Sequence, residues 1–102
     1  MKKYEVIVSD KAKQMLGQHM RFLAELSEEA ALRVTEEILR AIRSLEFMPE
    51  RCPFIADRFL PPNRYRKMVV LKHYLLLYQV RDGTVYVDYL VDCRQDYRWL
   101  LD

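Results

Sequence analysis

Glycine and cysteine are the scarce residues of this chain: two of each in 102 positions, with a single tryptophan. So few glycines, with 51% hydrophobic and 31% charged residues, exclude a disordered or low-complexity chain and suit one compact domain spanning 1–102. Cys52 and Cys93 have no second pair, which fits neither a disulfide framework nor a zinc site, and no cofactor motif accompanies them. A reducing cytoplasm is therefore the expected compartment. Long apolar runs are missing as well. Met-Lys-Lys leads straight into a strand-like segment, so neither a signal peptide nor a membrane span is expected.

Charge is present in both signs but unevenly spread. Residues 1–50 hold 8 basic and 9 acidic side chains, net −1, whereas residues 51–102 hold 9 and 6, net +3. Between Arg58 and His73 there are five basic residues (Arg58, Arg64, Arg66, Lys67, Lys72) and no acid. Such a patch suits phosphate or an acidic protein segment, and equally an ordinary solvated surface.

The periodicity predicts an α+β fold. Tyr4–Val8 alternates like a strand. Ser9 and Asp10 can cap a first helix, to about residue 26, with Ala12, Met15, Leu16, Phe22, Leu23 and Leu26 along one face. Ser27 caps a second, whose stripe runs from Ala30 to Phe47 before Pro49 stops it. Together they make an antiparallel helical hairpin. Four prolines break the chain over 49–63. Three strands follow, Arg64–Leu71, Tyr74–Arg81 and Thr84–Asp92, as an antiparallel meander. Asp82-Gly83 is a strong hairpin turn and Lys72-His73 a weaker one. A short terminal helix would complete the chain.

If both turns contain two residues, alternation sorts the side chains. Tyr65, Val69, Leu71, Tyr74, Leu76, Tyr78, Val80, Val85, Val87, Tyr89 and Val91 face the helices, with Lys67 as the only charge among them. Arg64, Arg66, Met68, Val70, Leu75, Leu77, Gln79, Arg81, Thr84, Tyr86, Asp88, Leu90 and Asp92 form an open, mixed face. Asp88 and Asp92 on that face are spaced like a carboxylate pair, or like partners of nearby arginines. His19 falls on the apolar side of the first helix as a packing residue, and His73 sits exposed in its turn.

The order strand, helical hairpin, meander, with YRKMVV at Tyr65–Val70, HYLLLYQV at His73–Val80, VYV at Val85–Val87 and RQDY at Arg94–Tyr97, resembles the RelE/ParE superfamily of type II toxin–antitoxin toxins. The resemblance covers essentially the whole chain, including Ile42-Arg43-Ser44-Leu45 and Met48-Pro49-Glu50-Arg51. It implies a growth-inhibiting toxin held inactive by a cognate antitoxin. RelE-like members enter the ribosome and cleave messenger RNA; ParE-like members poison DNA gyrase without nuclease chemistry.

Metal-free RNA cleavage needs a base, positive charge at the phosphate and an acid for the leaving oxygen. If the protein is a nuclease, the resemblance gives Arg66, Arg94 and Tyr97 the parts of clamping phosphate and of stacking on or protonating a nucleotide. Two further basic positions of the RelE-like pattern are Met68 and Leu75 here, which removes charge stabilisation. The reading therefore leans to gyrase, with ribosome-dependent RNA cleavage as the alternative and an inactive, antitoxin-binding member as a third. On any of them Arg64, Arg66, Lys67, Arg81, Tyr86, Arg94 and Gln95 are the candidate contact residues. The closing CRQDYRWLL reads either as a helix docked through Trp99 and Leu100 or as a recognition rim beside Arg66 and Tyr86, and the two are compatible.

Overall fold

The structure, a computed structural model, describes residues 2–93. Along the chain run β1 (Glu5–Val8), α1 (Asp10–Leu26), α2 (Glu28–Ser44), a 3-10 turn (Pro49–Arg51), β2 (Arg66–Val70), β3 (Tyr74–Arg81) and β4 (Thr84–Asp92). This is the expected α+β order, and β3 and β4 start and stop where the pattern places them. The expected terminal helix, with Arg94, Gln95, Tyr97 and Trp99, falls outside the described residues.

Both helices begin on a serine. The Ser9 hydroxyl accepts the Ala12 N–H at 3.0 Å and the Ser27 hydroxyl that of Ala30 at 3.1 Å, each satisfying an otherwise unpaired amide of the first turn. Glu28 and Glu29 add negative charge at the positive end of α2. That helix stops at Ser44, short of Phe47. Met48 takes a left-handed conformation (φ 48°) ahead of Pro49, and Arg51 donates to the carbonyls of Ser44, Phe47 and Met48. One guanidinium thus answers the open carbonyls at the end of α2.

The sheet has the order β1-β4-β3-β2, with β1 parallel to β4 and the other pairs antiparallel. Asp82 and Gly83 carry φ of 51° and 80°, the primed turn their sequence suggests. Ala12 and Met15 of α1 and Ile38 and Leu45 of α2 share one core with Leu76, Tyr78, Val85 and Val87. Full burial of such apolar side chains contributes about 1.5–3 kcal/mol each.

Two local irregularities correct the expected faces. Val70 pairs with Tyr74, so the β2–β3 loop has three residues instead of two, with Leu71 and Lys72 at positive φ (53° and 66°). A one-residue slip turns every side chain of β2 over. Arg66, Met68 and Val70 therefore share the side of Tyr78, Leu76 and Tyr74, toward the hairpin, while Tyr65, Lys67 and Val69 face away. The second irregularity is a bulge: Leu77 pairs with Tyr89 but Tyr78 with Val87, leaving Asp88 as the extra residue. Beyond it Leu90 and Asp92 turn toward the helices, and Tyr89 and Val91 away from them. Asp88 and Asp92 consequently lie on opposite sides and are no carboxylate pair. Nor is the far side of the sheet an open face. Leu75, Leu77, Gln79 and Val91 are buried there, and Ile55 and Leu60 of the 52–64 connection pack against the same core.

Candidate binding surface on the sheet

At the centre of the far side the bulge holds a polar network. The Asp88 carboxylate, through Oδ2, accepts from the Tyr65 hydroxyl at 3.0 Å and from Gln79 Nε2 at 2.7 Å. Gln79 Oε1 in turn accepts from Arg64 Nε at 3.3 Å. Burial, with the Asp88 carboxylate alongside, pushes the Tyr65 hydroxyl up to about 12. The phenol is thus held neutral as a donor, and Asp88 is engaged by two neutral donors. Tyr89 packs its ring 6.0 Å from that of Tyr65. Gln79 is the one polar residue in a strand otherwise apolar up to Arg81, a signal that such a site needs partners. Tyr65 and Asp88 carried no comparable mark, because the slip and the bulge decide which way they point.

Around this network lies a cationic and aromatic rim. Arg64 and Lys67 are exposed. The Arg81 guanidinium sits 5.0 Å from the ring centre of the half-buried Tyr86, a cation–π pair at the hairpin end. Four of the expected contact residues, Arg64, Lys67, Arg81 and Tyr86, are therefore on one side of the sheet.

Arg66 is apart from them. Its guanidinium, through Nη1, donates to the Glu50 carbonyl at 3.1 Å and the Cys52 carbonyl at 2.7 Å, and it stacks 3.9 Å from the centre of the Phe54 ring. Tyr78 reaches the same bend, its hydroxyl donating to the Pro49 carbonyl at 2.6 Å, and burial pushes that phenol upward as well. The bend at 48–52 is thus held by Arg51, Arg66 and Tyr78 together. The other titratable groups are equally dispersed. His19 Nε2 lies 3.0 Å from the Leu90 carbonyl with its ring edge-on to Tyr74, and His73 is exposed in the β2–β3 loop. The carboxylate, phenol and guanidinium of Asp88, Tyr65 and Arg64 come together, but they are engaged with one another and with Gln79. Among the described residues no group of three metal-ligating side chains gathers, and no helix is long and apolar enough to cross a membrane.

A family model described as the ParE toxin of type II toxin–antitoxin system, parDE, matches residues 6–97. The fold is similar to that of a solved structure titled as the chromosomal ParDE TA system from P. aeruginosa. The TM-score is 0.72 at 14% identity, over 90% of this chain and 98% of that one. No curated protein matches the sequence significantly.

Proposed function

Because the chain belongs to the ParE toxin family of type II toxin–antitoxin systems, we propose that it arrests growth by poisoning DNA gyrase, without nuclease chemistry, in the cytoplasm. The family implies a cognate antitoxin as the partner that holds it inactive. The observation carrying the gyrase reading is the engagement of Arg66. Its guanidinium is occupied by the carbonyls of Glu50 and Cys52 and by the Phe54 ring, on the hairpin side of the sheet. A nuclease of the RelE kind would need that charge free at the scissile phosphate. Met68 and Leu75, apolar at the other two cationic positions, support the same reading, since Leu75 is buried and Met68 half-buried. The contact with gyrase falls to the rim of Arg64, Lys67, Arg81 and Tyr86, with Arg94, Gln95 and Tyr97 following β4 in the chain.

The test is to add the purified protein, in parallel, to a gyrase supercoiling reaction and to a translating extract. Trapped, cleaved DNA with intact messenger is the expected result. Site-specific messenger cleavage that disappears in Arg94→Ala would overturn it in favour of ribosome-dependent RNA cleavage. Unimpaired growth on expression without antitoxin would leave only an antitoxin-binding role.

A further inference from the structure

Arg64 is the one member of the rim that the buried network grips. Its Nε donates to Gln79 Oε1 at 3.3 Å, and its guanidinium lies 5.7 Å from the centre of the Tyr65 ring. Gln79 is itself fixed from behind. Its side chain is 6% exposed, and Nε2 donates to Asp88 Oδ2 at 2.7 Å and to the Tyr65 hydroxyl at 3.3 Å. Both amide hydrogens therefore have acceptors, the amide cannot turn over, and Oε1 has to face Arg64. The Tyr65 hydroxyl closes the ring by donating to Asp88 Oδ2 at 3.0 Å. The bulge is tied down in turn, because the Ser9 hydroxyl donates to the Asp88 carbonyl at 3.0 Å. A continuous chain of hydrogen bonds thus runs from the start of α1, through the sheet, to one exposed guanidinium.

That guanidinium is delivered with its fork open. Arginine has five N–H donors, and the bond to Gln79 uses the one on Nε. Among the described residues, Nη1 and Nη2 of Arg64 meet no acceptor and no carboxylate pairs with the side chain. The acid of the network, Asp88, is engaged by two neutral donors. An arginine on a surface ordinarily loses side-chain freedom when it binds; here part of that loss has already occurred on folding. No comparable bond holds Lys67, and Arg81 leans on Tyr86 beside the acid of the turn, Asp82.

We propose that Asp88, Tyr65 and Gln79 are positioning residues for Arg64, and that Arg64 takes a carboxylate of the target protein in a planar, two-bonded pair. This rests on the gyrase reading for the identity of the target. A phosphodiester of DNA offers the fork the same pair of oxygens. Duplex binding, however, draws on many phosphates at once and on a broad positive field, whereas this chain carries a net +2 and sets the Asp88 carboxylate one side chain behind Arg64. A single carboxylate on a protein surface requires only one guanidinium held in place.

The test measures binding to gyrase free of DNA, together with DNA cleavage by gyrase, for the parent, Arg64→Ala, Arg64→Lys, Gln79→Leu and the Arg64→Ala, Gln79→Leu double variant. All are compared below their melting transitions. Arg64→Ala should weaken binding and cleavage about tenfold or more. Arg64→Lys should recover little of this, since an ammonium keeps the charge without the fork. Gln79→Leu should weaken binding several-fold in the parent and add nothing once Arg64 is gone, a non-additivity that a loss of stability would not produce. Because Arg64 is exposed, its two variants carry the test should Gln79→Leu fail to fold. Arg64→Lys with the potency of the parent overturns the positioning role, and so do equal losses from Gln79→Leu with and without Arg64. Unchanged binding to DNA-free gyrase, with Arg64-dependent binding to bare duplex, makes phosphate the ligand and overturns the carboxylate. Gyrase poisoning by the parent that Arg64→Ala retains in full sinks this proposal alone; a parent that leaves gyrase untouched sinks the gyrase reading and this proposal with it.

Discussion

Replacing Arg66 by alanine removes a guanidinium that donates to the carbonyls of Glu50 and Cys52 and lies against the Phe54 ring. Hydrogen bonds from a charged donor are worth about 1.5–3 kcal/mol each, but these two share one nitrogen and the side chain is only half-buried. Water can replace part of what is lost at the two carbonyls. Counting them as one such bond and adding about 0.5–1 kcal/mol for the ring contact gives a loss of about 2–4 kcal/mol. In a domain of this size each kcal/mol moves the melting temperature by roughly 4–8 °C, so a fall on the order of 10 °C or more is expected. Arg66→Lys keeps the charge but not the planar fork that stacks on Phe54, and should fall in between. The assay pairs thermal unfolding with growth arrest measured well below the transition of the variant, where the folded fraction is intact. Arrest should persist there. An Arg66→Ala protein that melts within about 2 °C of the parent yet has lost toxicity would refute the reasoning, because the guanidinium would then be serving a target and not the bend.

Two further substitutions probe the frame. Ser27→Ala deletes the side-chain acceptor for the Ala30 N–H at the start of α2 and should destabilise by about 1 kcal/mol in denaturant titration, with Ser27→Asp restoring most of it. Tyr65 is protonated more tightly in the folded state, its hydroxyl held at about 12 against an ordinary 10, so its contribution is complete below pH 10 and is lost as pH climbs toward 12. Chemical unfolding across that window should therefore show stability declining, and Tyr65→Phe should flatten the decline without removing the part due to Tyr78, whose phenol is raised in the same direction.

Residue pattern alone was enough for the helices, for β3 and β4, and for the Asp82-Gly83 turn, because each rests on local chemistry: a serine cap, a period of 3.6 or 2, a glycine at positive φ. The facing of the side chains was not legible, and the reason lies at two positions. Leu71 and Lys72 adopt left-handed backbone that neither residue type favours, so nothing in Leu-Lys-His announces a three-residue loop. The bulge at Asp88 is set by contacts 23 and 9 residues away, with Tyr65 and Gln79, which no window along the chain can register. Both errors propagate by alternation. They put Arg66 on the expected shelf with Arg64, when the structure turns it to the bend at 48–52. They also gave Tyr65 to the helix side, when it is part of the network under the rim. Arg81 and Tyr86 needed no such long-range information to be read as surface residues of the meander, whereas Lys67, given to the helix side by the same alternation, is turned outward by the slip.

The gyrase reading is tested most directly by the DNA of cells in which the protein is induced without antitoxin. Plasmid recovered after brief induction should be linear and covalently attached to gyrase while messenger in the same cells stays full length. Supercoiled, unbroken plasmid accompanied by cut messenger would contradict the account.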